Sequence, residues 1–192
     1  MQKTIAELLS DSSSLKATLA GDAHFLGAVE RAAQQLVRTI DSGGTIFSCG
    51  NGGSTCDAMH FTEELVARFK RERPGIKAMH LHDASVLTCW SNDYAFETAF
   101  ARQVETFCGP NDTLVGFSTS GNSANIIAAV NAAKIRGTKT IGMLGKDGGK
   151  LAPLCDLPLI VPSKATERIQ EAHITIVHIF CELIETRSEC NK

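Results

Sequence analysis

Between residues 45 and 161, five short apolar runs alternate with segments of helical periodicity. The runs are 45–49, 76–81, 113–117, 139–144 and 157–161. Helical patterns at 54–70, 93–107 and 123–136 separate them, and a long pattern at 166–186 follows the last. Runs this short are strands rather than helices, and continuous apolar character marks strands covered on both faces. Parallel strands joined through helices cross over right-handedly almost without exception. The expected fold class is therefore α/β, a three-layer sandwich with a five-stranded parallel sheet in the middle. Two further amphipathic helices, 3–19 and 23–40, precede it. In the second, Phe25, Val29, Ala32, Ala33, Leu36, Val37 and Ile40 recur at helical spacing before Gly43-Gly44 stops the pattern. The 192 residues contain no linker, repeat or low-complexity tract. We expect a single domain over 1–192, with N-terminal helices in 1–41 and the α/β core in 42–192.

Charge narrows the function classes. Nineteen Lys and Arg stand against 21 Asp and Glu, a formal charge of −2, so no basic field draws the chain to nucleic acid. The one basic run, Arg68-Phe69-Lys70-Arg71-Glu72-Arg73, reads as a solvated helix end. The opening MQKTIAELLSDSSS lacks the apolar centre of a signal peptide, and no apolar stretch reaches membrane-spanning length. Seven cysteines (Cys49, Cys56, Cys89, Cys108, Cys155, Cys181 and Cys190) form no CxxC pair. An odd, unpaired set points to free thiols in a reducing compartment, hence the cytoplasm. The last helix carries apolar residues around too much of its circumference for one contact face, which points to burial in an oligomer.

Two turns carry the chemistry. The first run leads into Cys49-Gly50-Asn51-Gly52-Gly53-Ser54, at a strand's C-terminal end and a helix start. It is neither GxGxxG nor a P-loop, since no Gly-Lys-Ser/Thr follows. It is either a plain turn or a small-ligand turn whose free N–H groups favour an anion. The third run leads into Ser118-Thr119-Ser120-Gly121-Asn122-Ser123. Hydroxyls and backbone N–H groups there form a phosphate cradle without a lysine, or an N-capping cluster. Neither loop offers the arginine fork that a carboxylate ligand favours. A third glycine cluster, Gly145, Gly148 and Gly149, reads as a turn at the rim.

His60 and Glu64 share a helix face, with Asp57 and Glu63 nearby. Such a pair holds a divalent metal, sets a base beside an acid, or forms a structural hydrogen bond. On the last helix, Gln170 and His178 lie two turns apart. His178, among apolar neighbours, needs a partner: a backbone carbonyl, a metal or a ligand. His173 reads as a solvated or interface residue, Glu171 as a surface charge, and His80 and His82 as exposed. Asn92-Asp93 fall in a loop before a helix. Paired phosphate-ready loops with Glu and His suggest acid–base chemistry on a phosphosugar, such as aldose–ketose isomerisation.

Together these segments resemble the sugar-isomerase (SIS) domain family. The resemblance rests on Cys49 to Ser54, Asp57-Ala58-Met59-His60-Phe61, Glu63-Glu64-Leu65, Ser118 to Ser123, Lys146-Asp147-Gly148-Gly149 and Arg168-Ile169-Gln170-Glu171. It spans essentially the whole chain and implies a flavodoxin-like core. It implies a cytoplasmic homotetramer with active sites at subunit interfaces, acting on a phosphorylated seven-carbon sugar and on neither nucleic acid nor membrane. The implied reaction converts D-sedoheptulose 7-phosphate to D-glycero-D-manno-heptose 7-phosphate through an enediol, toward the heptose of lipopolysaccharide. The resemblance assigns one zinc ion per subunit to His60, Glu64, Gln170 and His178. It makes Glu64 the catalytic base and His178 the acid. It gives the phosphate to Ser118, Thr119, Ser120 and Ser123, and the sugar to Asn51, Gly52, Gly53, Glu64, Asn92, Asp93 and Gln170. Noncatalytic members of the family lack the glutamate and the late histidine, and both are present here.

Overall fold

Side-chain alternation along the strands decides where the helices pack. In this computed structural model the backbone is described for residues 1–190 and the side chains for 1–186, so the Cys190 thiol lies outside the described residues. Ile46, Val115, Phe117, Ile141 and Met143 project into one core with α1 (Gln2–Gly21), α2 (Ala23–Asp41), α3 (Gly53–Val66) and α7 (Thr166–Cys190). Phe47, Cys49, Leu114 and Leu144 project into a second core with α5 (Ala99–Phe107) and α6 (Ala124–Ile135). This is the period-two geometry of a strand buried on both faces. The strands are β1 (Ile46–Gly50), β2 (Ala78–His80), β3 (Thr113–Ser118), β4 (Lys139–Gly145) and β5 (Leu157–Val161). They pair in parallel throughout, in the order β2-β1-β3-β4-β5. The three-layer arrangement and the five strands agree with the sequence reading.

Local polar groups set the helix ends. Asp22 Oδ1 accepts from the N–H groups of His24 at 2.9 Å and Phe25 at 3.1 Å, which starts α2. Within the first core, the Ser48 hydroxyl donates to the Ala58 carbonyl at 2.9 Å and meets the Thr62 hydroxyl at 3.0 Å. A buried polar pair is thereby satisfied where α3 crosses β1.

Three expectations change. The segment expected to be a loop up to Asn92-Asp93 is largely helix: α4 (Ala84–Asp93) precedes a 3₁₀ turn at Phe96–Thr98, and only then comes α5. α4 buries none of its residues fully; it is started by Asp83, whose Oδ1 accepts from Val86 N–H at 2.9 Å. α3 stops at Val66 instead of running to residue 70. The basic run after it is not a solvated helix end, because the Arg73 side chain is only 7% exposed and pairs with a buried Glu185 at 3.0 Å. Among the described residues, no helix is long and apolar enough to cross a membrane.

Candidate active site

The strand order places a crevice between β1 and β3. The chain leaves β1 toward β2 on one side, and β3 toward β4 on the other, so the loops at their C-terminal ends diverge and leave a gap. Open α/β sheets bind ligands at this switch point. Both loops singled out in the sequence lie there, after β1 and after β3. Asn51 and Asn125 join them by a reciprocal amide pair, each Nδ2 donating to the other's Oδ1 at 2.8 Å. Asn125 is buried on α6 and was not identified from sequence. Its local signal is a polar residue at the start of a mostly apolar helical stretch that also carries Asn131 and Lys134.

The loop after β3 is braced by hydrogen bonds within it and to the turn after β4. Ser118 and Ser123 pair through their hydroxyls at 2.9 Å, and Ser120 Oγ accepts from Asn122 N–H at 3.1 Å. Ser123 is the N-cap of α6 but makes no side-chain capping bond, so the helix's first N–H groups are not taken up by it. Gly121 has φ +65°, and the Gly148 carbonyl lies where a Cβ would stand. Leu151 N–H donates to the Gly121 carbonyl at 2.9 Å, and Lys150 N–H to Asn122 Oδ1 at 3.2 Å. The third glycine cluster, read only as a rim turn, is therefore the support on which this loop rests.

Helices α3 and α7 bring a second constellation together, farther along α3 from the glycine turn that opens it. His60 Nε2 lies 3.1 Å from Glu64 Oε1, as one helical turn dictates. His178 Nε2 lies 3.3 Å from His60 Nε2. One donor atom from each of the three fits within 4.8 Å of the others. Two imidazole nitrogens and a carboxylate oxygen in such a cluster are the donor set of a divalent metal of borderline softness. The His178 ring also stacks on Phe69, with centroids 5.6 Å apart and planes 18° apart. The Gln170 amide meets Gly53, where any Cβ would collide with it. This close approach sets α7 against the first glycine turn.

A cavity of about 390 Å³ opens beside that turn, lined by Asn51, Gly52, Thr55, Met59, His82 and Phe96 among others. A larger cleft of about 460 Å³ lies by Gly43, Gly44 and Lys77, before the first residues of β1 and β2 and away from these loops. α4 lines the first cavity with Ala84, Leu87 and Thr88. Asn92 and Asp93 sit on its exposed last turn, where Asn92 Nδ2 donates to Asp93 Oδ1 at 2.9 Å. His80 and His82 are half-buried rather than exposed. The His82 ring reaches the Gly50 carbonyl through Nε2 at 2.9 Å and pins the end of β1.

His173 is neither solvated nor exposed at an interface. It is fully buried beside Phe117, with Nε2 3.1 Å from the Leu144 carbonyl and Nδ1 unpartnered. Burial pushes its pKa down from 6.5 to about 4, against the raising effect of the Leu144 bond. Asp57, with Oδ2 unpartnered, moves the other way: burial raises its pKa to about 6, opposed by the His60 charge. For His173 the unfolded chain binds more protons between pH 6.5 and 4, so its contribution is full above that window and is lost as pH falls through it. From pH 7 to 4, the wild type should lose about 3 kcal/mol more stability than His173→Gln. Asp57 is common to both proteins and cancels in the difference. Denaturant unfolding at several pH values measures this, and parallel curves for the two proteins would refute it.

The comparisons with known proteins agree with this geometry. The SIS domain family matches residues 17–145. A phosphoheptose isomerase of Trichlorobacter lovleyi is 46% identical over 186 residues, covering 96% of this chain and 94% of that protein. The phosphoheptose isomerase of Vibrio cholerae serotype O1 is 45% identical over 185 residues, covering 96% and 97%. Among solved structures, a phosphoheptose isomerase from Neisseria gonorrhoeae superposes with a TM-score of 0.90 at 38% identity, covering 96% of this chain and 98% of that one. One from Francisella tularensis superposes at 0.91 with 35% identity and the same coverage. With its sheet order, its paired loops and these relatives in agreement, the chain belongs to the SIS domain family and, within it, to the phosphoheptose isomerases.

Proposed function

We propose that the chain interconverts D-sedoheptulose 7-phosphate and D-glycero-D-manno-heptose 7-phosphate through an enediol, supplying heptose for lipopolysaccharide. The observation that carries this reading is the meeting of Glu64 and His178, from α3 and α7, in one cluster. A phosphate-ready loop and a glycine turn occupy the switch point at the C-terminal ends of β1 and β3. Ser118, Thr119, Ser120 and Ser123, with the N–H groups opening α6, hold the phosphate. Asn51, Gly52, Gly53, Asn92, Asp93 and Gln170 orient the sugar chain.

Starting from the ketose, Glu64 removes a proton from C1 while His178 protonates the C2 carbonyl oxygen, which yields the enediol. Glu64 then returns its proton to C2 as His178 takes the proton from the C1 hydroxyl. One carboxylate and one imidazole thus carry both halves of the transfer. Glu64 Oε1 faces His60, which leaves the second oxygen for the proton. Zinc is assigned to His60, Glu64, Gln170 and His178, one ion per subunit, where it would supply Lewis-acid polarisation of the sugar oxygens.

The remaining parts of the reading are a single SIS domain over 1–192, a cytoplasmic location and a homotetramer with active sites at subunit interfaces. Ile179 and Leu183 support the last point: they project from α7 with 42% and 43% of their surface exposed, where a partner subunit would cover them. The direct test is incubation of the purified protein with sedoheptulose 7-phosphate, with and without a chelator, followed by separation of the two sugar phosphates. Conversion that stops with chelator and returns with zinc is the expected result. No conversion in either arm refutes the isomerase reading, and conversion indifferent to chelator removes the metal from it.

A further inference from the structure

Beyond the cluster itself, a buried ion pair ties together the two helices that carry it. Glu185 lies seven residues after His178, which returns it to within about 20° of the same face of α7. Its side chain is completely buried. It accepts from the backbone N–H groups of Phe69 at 3.1 Å, Lys70 at 3.0 Å and Arg71 at 3.0 Å, and from Arg73 Nε at 3.0 Å. A buried carboxylate is tolerated when its lone pairs are filled in this way. The Arg73 guanidinium then turns back to the end of α3. It donates to the Glu64 carbonyl at 2.6 Å and to the Leu65 carbonyl at 2.9 Å. These carbonyls belong to the last turn of the helix, which has no intrahelical donors of its own for them. Between the two anchors, the same segment presents Phe69 to the face of the His178 ring.

We infer that Glu185 and Arg73 are positioning residues for the isomerase site: their ion pair sets Glu64 and His178 at their working separation by strapping segment 67–73 between α3 and α7. This rests on the isomerase reading above. Neither residue belongs to the cluster of His60, Glu64 and His178. They act through the Glu64 backbone on one side and through Phe69 on the other. Arg is required because one planar fork must serve a carboxylate and two carbonyls at once, which a lysine ammonium cannot do with the same geometry.

The test compares Glu185→Gln, Arg73→Lys, their combination and Phe69→Leu with the wild type, at a temperature where circular dichroism shows every protein folded. Glu182→Gln is the control, since Glu182 pairs with Lys70 and Arg71 in solvent-accessible bridges. Glu185→Gln and Arg73→Lys should each lower kcat about ten- to a hundredfold and weaken zinc binding similarly, as loss of support behind metal ligands does. The combination should lose no more than the worse single variant, because both break one unit. KM should stay within about twofold, since the phosphate loop is untouched. Phe69→Leu keeps both buried charges, so it reports on the strap even if the charge variants do not fold, and it should lower kcat with KM unchanged. Variants matching the wild type in kcat and zinc affinity, with only the melting temperature reduced, would show the pair to be purely structural and overturn the inference. A wild type that neither turns over nor binds zinc would instead overturn the isomerase reading on which it rests.

Discussion

Glu64→Gln is expected to lower turnover at saturating sedoheptulose 7-phosphate by about a thousandfold, within the range that a positioned acid or base contributes. The substitution preserves length and shape, and the amide still meets His60 across one helical turn. What it loses is the ability to take a proton from C1. Phosphate binding should survive, because the serine loop after β3 lies on a different element. A carboxamide is also a poorer ligand than a carboxylate, so the rate must be measured at saturating zinc. Turnover restored by added metal would mean that Glu64 serves only to hold the ion. A rate that stays low with metal bound assigns the base. Exchange of the C1 hydrogen with deuterated solvent separates the two further. It should vanish in Glu64→Gln, and exchange at the wild-type rate would remove Glu64 from the role.

His178→Gln should cost about a hundredfold or more in kcat. Glutamine keeps a hydrogen-bond donor near the carbonyl oxygen but cannot deliver a proton to it. It also gives up the ring that stacks on Phe69 at 5.6 Å. The loss should therefore fall on kcat and on C1 exchange together, because the enediol cannot form without a proton on its oxygen. Phosphosugar affinity, read by calorimetry, should change little. A variant that still exchanges C1 hydrogen rapidly, yet releases no product, would place His178 in a later step than carbonyl protonation.

Much of this site is legible in one dimension because it is built from loops at strand ends. The segments after β1 and β3 announce themselves by glycine, serine and asparagine at the ends of apolar runs. The helical pair His60 and Glu64 is fixed by one turn of spacing. Other residues were misread because their environment is not local. His173 sits in a helix of mixed character, and its burial against Leu144 and Phe117 depends on how α7 lies on the sheet. Arg73 sits in a charged run that looks solvated, yet its partner is 112 residues away. α4 is ten residues long and buries none of them fully, so its docking on the sheet is weak and its pattern is short.

By itself the sequence determined the alternation of strands and helices, hence a parallel sheet with two helical faces, and the loops that carry the family resemblance. These follow from periodicity and turn chemistry, which act over a few residues. Tertiary structure alone decided the strand order β2-β1-β3-β4-β5 that opens the crevice. It alone brought His178 to His60 across 118 residues of chain, and Asn51 to Asn125 across 74. Such pairings arise when whole helix and sheet faces dock. Their side chains are selected by the shape and polarity of the opposite face, and local spacing carries no record of that face.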